Sequence, residues 1–367
     1  MDNELIYKIA LTKIPNIGNV HAKSLMQIFK EPDQIFKASK SHLEKIEGIG
    51  FVRANSIKAF KYFDDCKKEI EFIQKHTINA LFFTDEKYPK RLLNCYDSPI
   101  MLYYKGSSNL NASKIISIVG TRNNSEYGKQ ICEKFISDLK LKDAIIVSGL
   151  AYGIDTIAHR ASLNNSIETI GVLAHGLDRI YPSANKQLAK EMIFKGGLLT
   201  EFRSGTNPDK QNFPNRNRIT AGICDALIVI ETSKKGGSLI TAEIANDYNK
   251  DVFAFPGKVT DLKSEGCNNL IQLNKAHLIT HANDLLEMMQ WNEVKSNTKK
   301  RNRELFDDFS NEELEILEFF KQKTDWQIDE LCMQSKMSNS KIAAVLLSLE
   351  MNGIIASLPG KIYQYLI

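Results

Sequence analysis

The sequence predicts an α/β protein whose central domain is a doubly wound, mostly parallel sheet, with a small helical module at each end. Apolar runs alternate with helical stretches from Lys114 to about Gln290. This alternation is typical of parallel strands that helices cover on both faces. The flanking regions lack the alternation and have helical patterning. The length of 367 residues agrees with a chain of more than one domain, because it exceeds the average length of a single domain.

Residues 1–64 are predicted to form short helices joined by glycine-containing turns. Ile14–Gly18 and Ile46–Gly50 share the pattern h-x-x-h-G. Glycine permits the tight turn, and the backbone N–H groups at the start of the next helix can face a phosphate. The repeat resembles the helix-hairpin-helix (SAM-like) module of many DNA-associated proteins. A plain helical bundle whose turns need glycine explains the repeat equally well.

Residues 66–290 are predicted to form an extended Rossmann-like domain, whose ligands bind beyond the carboxyl ends of the strands. Two strand-like runs, Ala80–Thr84 and Ile100–Tyr104, are assigned to its edge. The predicted strands of the alternating region are Ile115–Val119, Ala144–Val147, Thr169–Leu173, Gly197–Leu199, Ala226–Ile230 and Val252–Phe255. The predicted helices are Lys129–Leu141, Asp155–Leu163, Lys186–Phe194 and Leu239–Asn249.

Residues 291–308 are predicted to be a basic linker, and residues 309–367 a winged-helix-like domain. The predicted helices are Glu312–Phe320, Ile328–Met333 and Ser340–Met351, followed by a hairpin around Pro359-Gly360. The third helix of a winged helix often reads the DNA major groove. Here it has one lysine and a wide apolar face, so contact with DNA and contact with a protein are both open.

Composition restricts the ligand and the compartment. The net charge of +4 is too small to indicate nucleic-acid binding, so an anion site requires locally placed Lys and Arg. The six cysteines include no CxxC pair, which predicts reduced packing residues and no zinc site. The sequence has neither a signal-peptide pattern nor an apolar run of membrane-spanning length. We therefore expect a cytoplasmic protein without membrane contact.

The most informative run is Phe213–Gly222, which precedes an apolar strand. Arg216 and Arg218 offer planar, permanently charged groups that match phosphate oxygens. Asn217 can add a polar contact. Phe213 can add a stacking face for a base, as can Tyr127, although either ring could instead be packed in the core.

Loops after three other predicted strands are expected to line the same edge of the sheet. Glycine lets the backbone approach a ligand, and free N–H groups at a helix start favour an anion. The loop residues are Gly120, Thr121 and Arg122, then Ser148, Gly149 and Gly153, and then Lys235, Gly236, Gly237, Ser238 and Thr241. Together with the arginine run they predict a phosphate-lined edge that binds a polyanion.

The same loops argue against nucleotide-dependent enzymes. The first loop lacks the second and third glycines of the GxGxxG dinucleotide pattern, and the chain has no Walker motif. Asp155 and His159 would share a helix face and form an acid/base pair, but a capping Asp with a structural His is favoured. No catalytic residue, metal or cofactor is expected.

Six blocks of the sequence closely resemble the DNA-processing protein A family (DprA, also called Smf). The blocks are Ile118–Arg122, Ser148–Asp155, Gly176–Pro182, Phe213–Ile219, Gly237–Ala242 and Phe255–Gly257. They follow the family's order and spacing over about half of the chain, and the terminal modules match its common three-part layout. Thr121 stands where serine is more usual, and both side chains supply a hydroxyl.

The resemblance implies a non-catalytic, cytoplasmic protein that binds single-stranded DNA, cooperates with the recombinase RecA and forms a homodimer through the Rossmann-like domain. Members of the family protect incoming strands during natural transformation and help to load RecA on them. The resemblance also implies that Arg122 and the cluster Arg216-Asn217-Arg218 hold the DNA backbone. The loop Gly236-Gly237-Ser238 is expected to line the same groove.

Two other functions compete with this interpretation. Some nucleotide phosphoribohydrolases have a related fold and a PGGxGTxxE loop, in which the glutamate assists cleavage. Glu243 would be that acid here, although the spacing is longer and no proline precedes the glycines. The second competitor is a pure interaction protein. Mononucleotide turnover would indicate the first, and partner binding without DNA affinity the second.

Overall fold

The computed structural model describes residues 3–139, 141, 143–291, 309–335, 337–358 and 361–366. The chain divides into two units, Met1–Gln290 and Trp291–Ile367, and the first includes both the predicted helical module and the predicted sheet domain. The predicted basic linker lies outside the described residues except for Trp291, and so does the Pro359-Gly360 turn. In the described part of the chain, no helix has the length and apolar character that crossing a membrane requires.

The N-terminal module is helical, and both glycine patterns form turns that lead into a helix. The helices are α1 (Asn3–Leu11), α2 (Asn19–Phe29), α3 (Pro32–Lys37), α4 (Lys40–Glu44), α5 (Gly50–Lys58) and α6 (Phe63–Lys75). In the second turn Gly48 has a left-handed φ of 79°, which glycine adopts without strain. Arg53 joins the two turns, because its Nε donates to the Asn16 carbonyl at 3.0 Å and its Nη1 to the Gly48 carbonyl at 2.9 Å.

The sheet domain alternates strands and helices along the chain. Its strands are β1 (Asn79–Phe82), β2 (Met101–Gly106), β3 (Lys114–Val119), β4 (Ala144–Ser148), β5 (Glu168–Val172), β6 (Gly196–Thr200), β7 (Ala226–Val229), β8 (Asp251–Ala254) and β9 (His277–Leu278). Its helices are α7 (Lys90–Leu93), α8 (Glu126–Asp138), α9 (Ile154–Asn164), α10 (Lys186–Phe194), α11 (Asn212–Gly222), α12 (Gly237–Asp247), α13 (Glu265–Gln272) and α14 (Ala282–Met288).

These strands form one sheet in the order β1-β2-β6-β5-β4-β3-β7-β8-β9. Neighbours from β6 to β9 are parallel, whereas the pairs β1–β2 and β2–β6 are antiparallel. The doubly wound, mostly parallel sheet predicted from the sequence is therefore confirmed. The winding reverses at β3, because β4 lies on one side of it and β7 on the other. Ligands of such sheets bind where the carboxyl ends of these strands meet.

The central strands are apolar along their whole length because the sheet is covered on both faces. Ile116 pairs with Ile146 across β3 and β4, and Ile118 pairs with Ile228 across β3 and β7. All four side chains are inaccessible to solvent. The carboxyl ends of these strands are consequently held in a rigid frame, from which the polar loops begin.

The run Phe213–Gly222, which was not among the predicted helices, lies in the helix α11. Pro214 is its third residue, a position where the backbone N–H has no partner within a helix and proline is tolerated. Successive residues therefore point in directions about 100° apart. This spacing decides which of the polar residues in the run reach the cleft described below.

The second unit is a winged helix, as predicted. Its elements are α15 (Asn311–Gln322), β10 (Asp325–Gln327), α16 (Ile328–Ser335), α17 (Asn339–Met351), β11 (Ile355–Leu358) and β12 (Ile362–Tyr365). The strands form an antiparallel sheet in the order β10-β12-β11. β10 was not predicted, since a strand of three residues has no readable alternation and depends on its pairing with β12.

Candidate phosphate-binding cleft

A cleft of about 790 Å³ opens at the carboxyl ends of β3, β4 and β7. The fold gathers there loops that are widely separated in the sequence, together with one face of α11. The predicted site residues that line the cleft are Gly120, Thr121, Arg122, Gly149, Phe213, Arg216, Asn217, Gly236, Gly237, Ser238 and Thr241. The predicted edge is thus a single concave surface.

The start of α12 is an open anion site on one wall. Gly236 is the N-cap residue, and the first turn contains neither a capping side chain nor an acidic residue. A Cβ placed on Gly237 would meet no atom within 4 Å, so the backbone is accessible there. The Ser238 hydroxyl is already used, because it donates to Thr232 Oγ1 at 2.7 Å. Free N–H groups and the positive helix end therefore favour an anion here.

The start of α8, by contrast, is closed by a carboxylate of the protein. Glu231 is buried and accepts hydrogen bonds from the Ser125 N–H, at 2.8 Å, and from the Ser125 hydroxyl. A Cβ on Gly128 would lie 2.7 Å from Glu231 Oε2. The carboxylate occupies the helix start at which dinucleotide-binding folds hold a pyrophosphate.

Arg216 forms part of the floor of the cleft. Its side chain is 5% exposed, and its Nη1 donates to the Val172 carbonyl at 3.1 Å. Its Nε has no hydrogen-bond partner among the described residues. Burial lowers the pKa of Arg216, while the nearby Asp155 carboxylate opposes that shift. The positive charge of this residue on the lining of the cleft favours an anionic ligand.

Gly149 allows this arrangement because it has no side chain. A Cβ at that position would lie 1.8 Å from Arg216 Nη1 and 2.3 Å from Asp155 Oδ2. The guanidinium and the carboxylate therefore occupy the space that any other residue would fill. Asp155 also accepts the Ala151 N–H at 3.2 Å, which shapes the loop after β4.

Arg122 and two aromatic rings form the other wall. The Arg122 guanidinium lies 4.9 Å from the centre of the Phe213 ring, in cation–π geometry. Tyr181 is half-exposed and meets Phe213 edge to face, with the ring centres 6.4 Å apart. Phe213 thus lines the cleft. Tyr127 does not, and its hydroxyl instead donates to the Pro256 carbonyl at 2.6 Å.

Among the residues that line the cleft, sequence reasoning missed one cation, Lys210, and one exposed aromatic ring, Tyr181. Lys210 is exposed and precedes α11 in an irregular loop, so no periodicity marked it. The available signal was a lysine between Pro208 and the arginine run. Tyr181 lies in one of the family-like blocks, but its contact with Phe213 depends on the tertiary fold.

Three predicted site residues do not line the cleft. Two of them shape its loops, and the third is exposed on a neighbouring loop. Ser148 is buried and donates to the Ile118 carbonyl at 2.6 Å, which ties β4 to β3. Gly153 has a φ of 76°, and a Cβ there would lie 2.3 Å from the Thr121 carbonyl oxygen. Lys235 is exposed on the loop before α12 and is not among the residues that line the cleft.

Arg218, which the sequence analysis assigned to the DNA backbone together with Arg216, is turned away from the cleft. Two positions along a helix differ in direction by about 200°, so Arg218 points to the side opposite Arg216. Its guanidinium binds the Glu201 carboxylate and the Asp97 carbonyl. The Arg218 and Glu201 side chains are 11% and 13% exposed, so this is an internal ion pair.

His159 and Asp155 do not form an acid/base pair. His159 is fully buried, with Nε2 2.6 Å from the Gly149 carbonyl oxygen and Nδ1 2.7 Å from Thr169 Oγ1. Burial lowers the pKa of His159 to about 4. Both ring nitrogens are engaged, so the residue supports the Gly149 loop. The geometry therefore favours the structural interpretation of this pair.

Glu243, the acid of the competing phosphoribohydrolase interpretation, lies outside the cleft. Its side chain is 58% exposed, and Oε1 lies 3.6 Å from Lys275 Nζ. It is not among the residues that line the cleft. The described structure thus places no carboxylate of α12 where a nucleotide bound at the cleft would need an acid.

The winged helix has a weak cationic surface. Lys341, the lysine of α17, lies 2.7 Å from Glu312 and is therefore neutralised. Residues 309–367 contain five Lys and Arg against eight Asp and Glu. The solvent-facing stripe of α17 consists of Ala343, Ala344, Leu347 and Met351. These features leave little free positive charge on α17 for contact with duplex DNA.

Comparisons with known proteins agree with this architecture. Residues 79–290 match the family model of DNA recombination-mediator protein A, residues 308–361 that of the DprA winged helix domain, and residues 9–70 that of the helix-hairpin-helix motif. The DNA processing protein DprA of Streptococcus pneumoniae is 41% identical over 282 residues, which cover 76% of this chain and 96% of that protein. The protein Smf of Escherichia coli is 33% identical and covers 88% of each chain.

Two solved structures are similar. The crystal structure of DprA from Streptococcus pneumoniae has a TM-score of 0.66 at 35% identity, covering 77% of this chain and 97% of that chain. A structure that describes the single-stranded DNA binding mode of DNA processing protein A from Helicobacter pylori has a TM-score of 0.53 at 30% identity. It covers 58% of this chain and 96% of that chain.

We predict that acid destabilises the protein through His159. Its pKa of about 4 in the folded state lies below the ordinary value of 6.5. Between these values the unfolded chain binds a proton that the folded chain does not, so stability is lost as pH falls through this window. The free energy of unfolding should drop by about 1.5 kcal/mol between pH 6.5 and about pH 5.

Urea denaturation at both pH values measures this loss. His159→Asn should be less stable above pH 6.5, because its buried partners lose hydrogen bonds, but its stability should fall less on acidification. Burial also lowers the pKa of His175. Since His175 is present in both proteins, its contribution to the pH dependence cancels in the comparison. An equal loss in the two proteins would contradict the assignment.

We predict that Arg218 supports stability. Arg218→Met should lower the free energy of unfolding by about 3 kcal/mol, because it leaves the Glu201 carboxylate buried without its cation. Adding Glu201→Gln should recover part of the loss. Lys67→Met, which removes an exposed pair with Asp64, is the control and should change stability by less than about 1 kcal/mol. Equal effects of Arg218→Met and Lys67→Met in chemical denaturation would show the pair to be unimportant.

Proposed function

The chain belongs to the DNA-processing protein A (DprA/Smf) family, and from that membership we propose that its cleft binds single-stranded DNA. The observation that carries the proposal is the convergence of Arg122, Lys210 and Arg216 with the open start of α12 on one concave surface. Phosphates would bind the cations and the free N–H groups. The arrangement concentrates positive charge locally, although the whole chain has a net charge of only +4.

The aromatic rings of the cleft favour the binding of a single strand over the binding of a duplex. Phe213 and Tyr181 present rings beside the cations, and stacking of a base on such a ring contributes about 1–3 kcal/mol. The bases of a duplex are stacked on each other and offer no free face. Asn217 can add a polar contact. Backbone contacts and stacking do not depend on sequence, which suits a protein that takes up strands of any sequence.

The finer role that we propose is protection of incoming single strands and their transfer to the recombinase RecA during natural transformation. In this role the protein binds and does not catalyse, which agrees with the engaged ring of His159 and the remote Glu243. RecA filament formation on DNA covered by a single-strand-binding protein tests it. The protein should accelerate filament formation, and a variant without Arg122 should not.

We propose that a second copy of the chain packs on the β9 edge of the sheet and on exposed apolar side chains of the segments that precede β9 in the chain. Val259 and Leu262 are 92% and 75% exposed, and Leu273 and Leu278 are half-exposed. β9 is also the edge strand of the sheet, with one side unpaired in the described residues. A dimer would cover this surface, and two linked clefts would bind a long strand more tightly than one.

The first prediction of this proposal concerns the two exposed cations of the cleft. Arg122→Ala and Lys210→Ala should each weaken binding of a labelled single-stranded oligonucleotide in fluorescence anisotropy. Each should also reduce the slope of log affinity against log salt by about 0.7, because one phosphate contact is lost. A double-stranded oligonucleotide should bind more weakly to all variants.

Lys87→Ala is the matched control, because Lys87 is an exposed lysine beside β1, at the far edge of the sheet. It should leave both affinity and slope unchanged. If Arg122→Ala and Lys210→Ala keep the wild-type affinity and thermal melting, the cleft is not the DNA site.

The second prediction concerns the dimer. Leu262→Glu should convert the protein to a monomer in sedimentation equilibrium, because a buried unpaired carboxylate opposes packing. It should weaken binding of long oligonucleotides and leave binding of a strand that fills one cleft unchanged. Phe194→Glu, at an exposed phenylalanine on α10, should not change the oligomeric state. A Leu262→Glu protein that stays dimeric would place the interface elsewhere.

A further inference from the structure

The irregular loop that joins β6 to α11, residues 201–211, carries Lys210 to the cleft. We call it the lip loop. Its beginning is attached to the N-terminal helical module through Glu69 of α6. The Glu69 carboxylate accepts hydrogen bonds from the Ser204 N–H, at 3.0 Å, and from the Ser204 hydroxyl. Glu69 is 5% exposed, so water and salt screen this contact little.

The lip loop has another attachment at its first residue, because the Glu201 carboxylate binds Arg218 of α11. A cavity of about 330 Å³ lies between the loop and the helical module. Leu11 and Ile17 line it from the module, and Phe202, Arg203 and Thr206 line it from the loop. Beside this open space, the charge-assisted hydrogen bonds of Glu69 hold Ser204 on the module.

Beyond Ser204 the lip loop is attached to the sheet domain. Asp178 accepts the Gly205 N–H at 2.9 Å, and the Gly176 N–H donates to the Thr206 carbonyl at 3.2 Å. Arg179 also binds the Asn207 side chain, and Asn212 Nδ2 donates to the Asn207 carbonyl at 3.0 Å. The Glu69 contact is therefore one of several that fix the path of the chain towards Lys210. Lys210 comes four residues after Thr206 and is exposed. Its position over the cleft therefore depends on both attachments.

We propose that Glu69 is a positioning residue for DNA binding, which keeps the lip loop and Lys210 over the cleft by holding Ser204. The inference rests on the proposed function, because the position of Lys210 matters only if the cleft binds a polyanion. The residues that line the cleft belong to the sheet domain. Glu69 thus gives the helical module a part in single-strand affinity without contact with the DNA.

The test measures the affinity of the full chain for a single-stranded oligonucleotide across a salt series. Glu69→Ala should weaken binding about threefold to tenfold and lower the salt slope, as loss of the Lys210 contact does. Ser204→Ala should act in the same direction but less, because the Ser204 N–H remains. In a Lys210→Ala protein, Glu69→Ala should have no further effect, since the contact that it positions is already absent.

Lys8→Met is the matched control. Lys8 also joins the helical module to the sheet domain, through Asp85 at 3.2 Å, but on the side of β1. It should leave affinity and slope unchanged. The proposal is overturned if Glu69→Ala weakens binding equally with and without Lys210, or if Lys8→Met weakens binding as much. Either result would mean that the substitution loosens the contact between the helical module and the sheet domain in general.

If Glu69→Ala does not fold, Glu69→Gln provides the measurement. This substitution keeps the shape of the side chain and removes its charge. It should weaken binding less than Glu69→Ala, and its effect on affinity should still require Lys210. A wild-type protein that binds no single strand would overturn the proposed function, and this inference with it. A wild-type protein that binds normally, with a Glu69 variant of unchanged affinity, would overturn this inference alone.

Discussion

The cleft depends on the burial of the Arg216 guanidinium beneath Gly149. A Cβ at Gly149 would lie 1.8 Å from Nη1, so the cation and the glycine require each other. Arg216 draws α11 towards the end of β5 through the Val172 carbonyl, and His159 holds the Gly149 carbonyl from below. A buried cation is costly without partners. The nearby Asp155 carboxylate and the Val172 carbonyl reduce this cost.

The starts of α8 and α12, which both lie at this edge of the sheet, differ in whether a carboxylate of the protein occupies them. Glu231 closes the start of α8 with a carboxylate of the protein, whereas the start of α12 carries no acidic residue and has open glycine backbone. One site is thus stabilised internally, and the other is free for an anion. Under the proposed function, the start of α12 would bind a phosphate of the strand, and the start of α8 would not.

The two arginines of one short run have opposite roles because they lie on a helix. Arg216 faces the cleft, and Arg218 joins Glu201 and Asp97 on the other side. Through Asp97 this second side is close to Lys23 of the helical module, which binds Ser98 Oγ at 2.6 Å. The helix that lines the cleft is therefore also part of the internal framework of the unit. Substitutions in this framework should therefore change the geometry of the cleft.

The sequence by itself determined the doubly wound sheet and the strand ends that form the site, because alternation of apolar runs with helices and the positions of glycine are local patterns. It also located Arg122, Gly149, Phe213 and Arg216 in the cleft. Only the tertiary structure decided that Arg218 is internal and that Lys210 reaches the cleft. The direction of a side chain on a helix, and the path of an irregular loop, depend on what packs against them. Such contacts come from residues far away in the chain, and no local pattern records them.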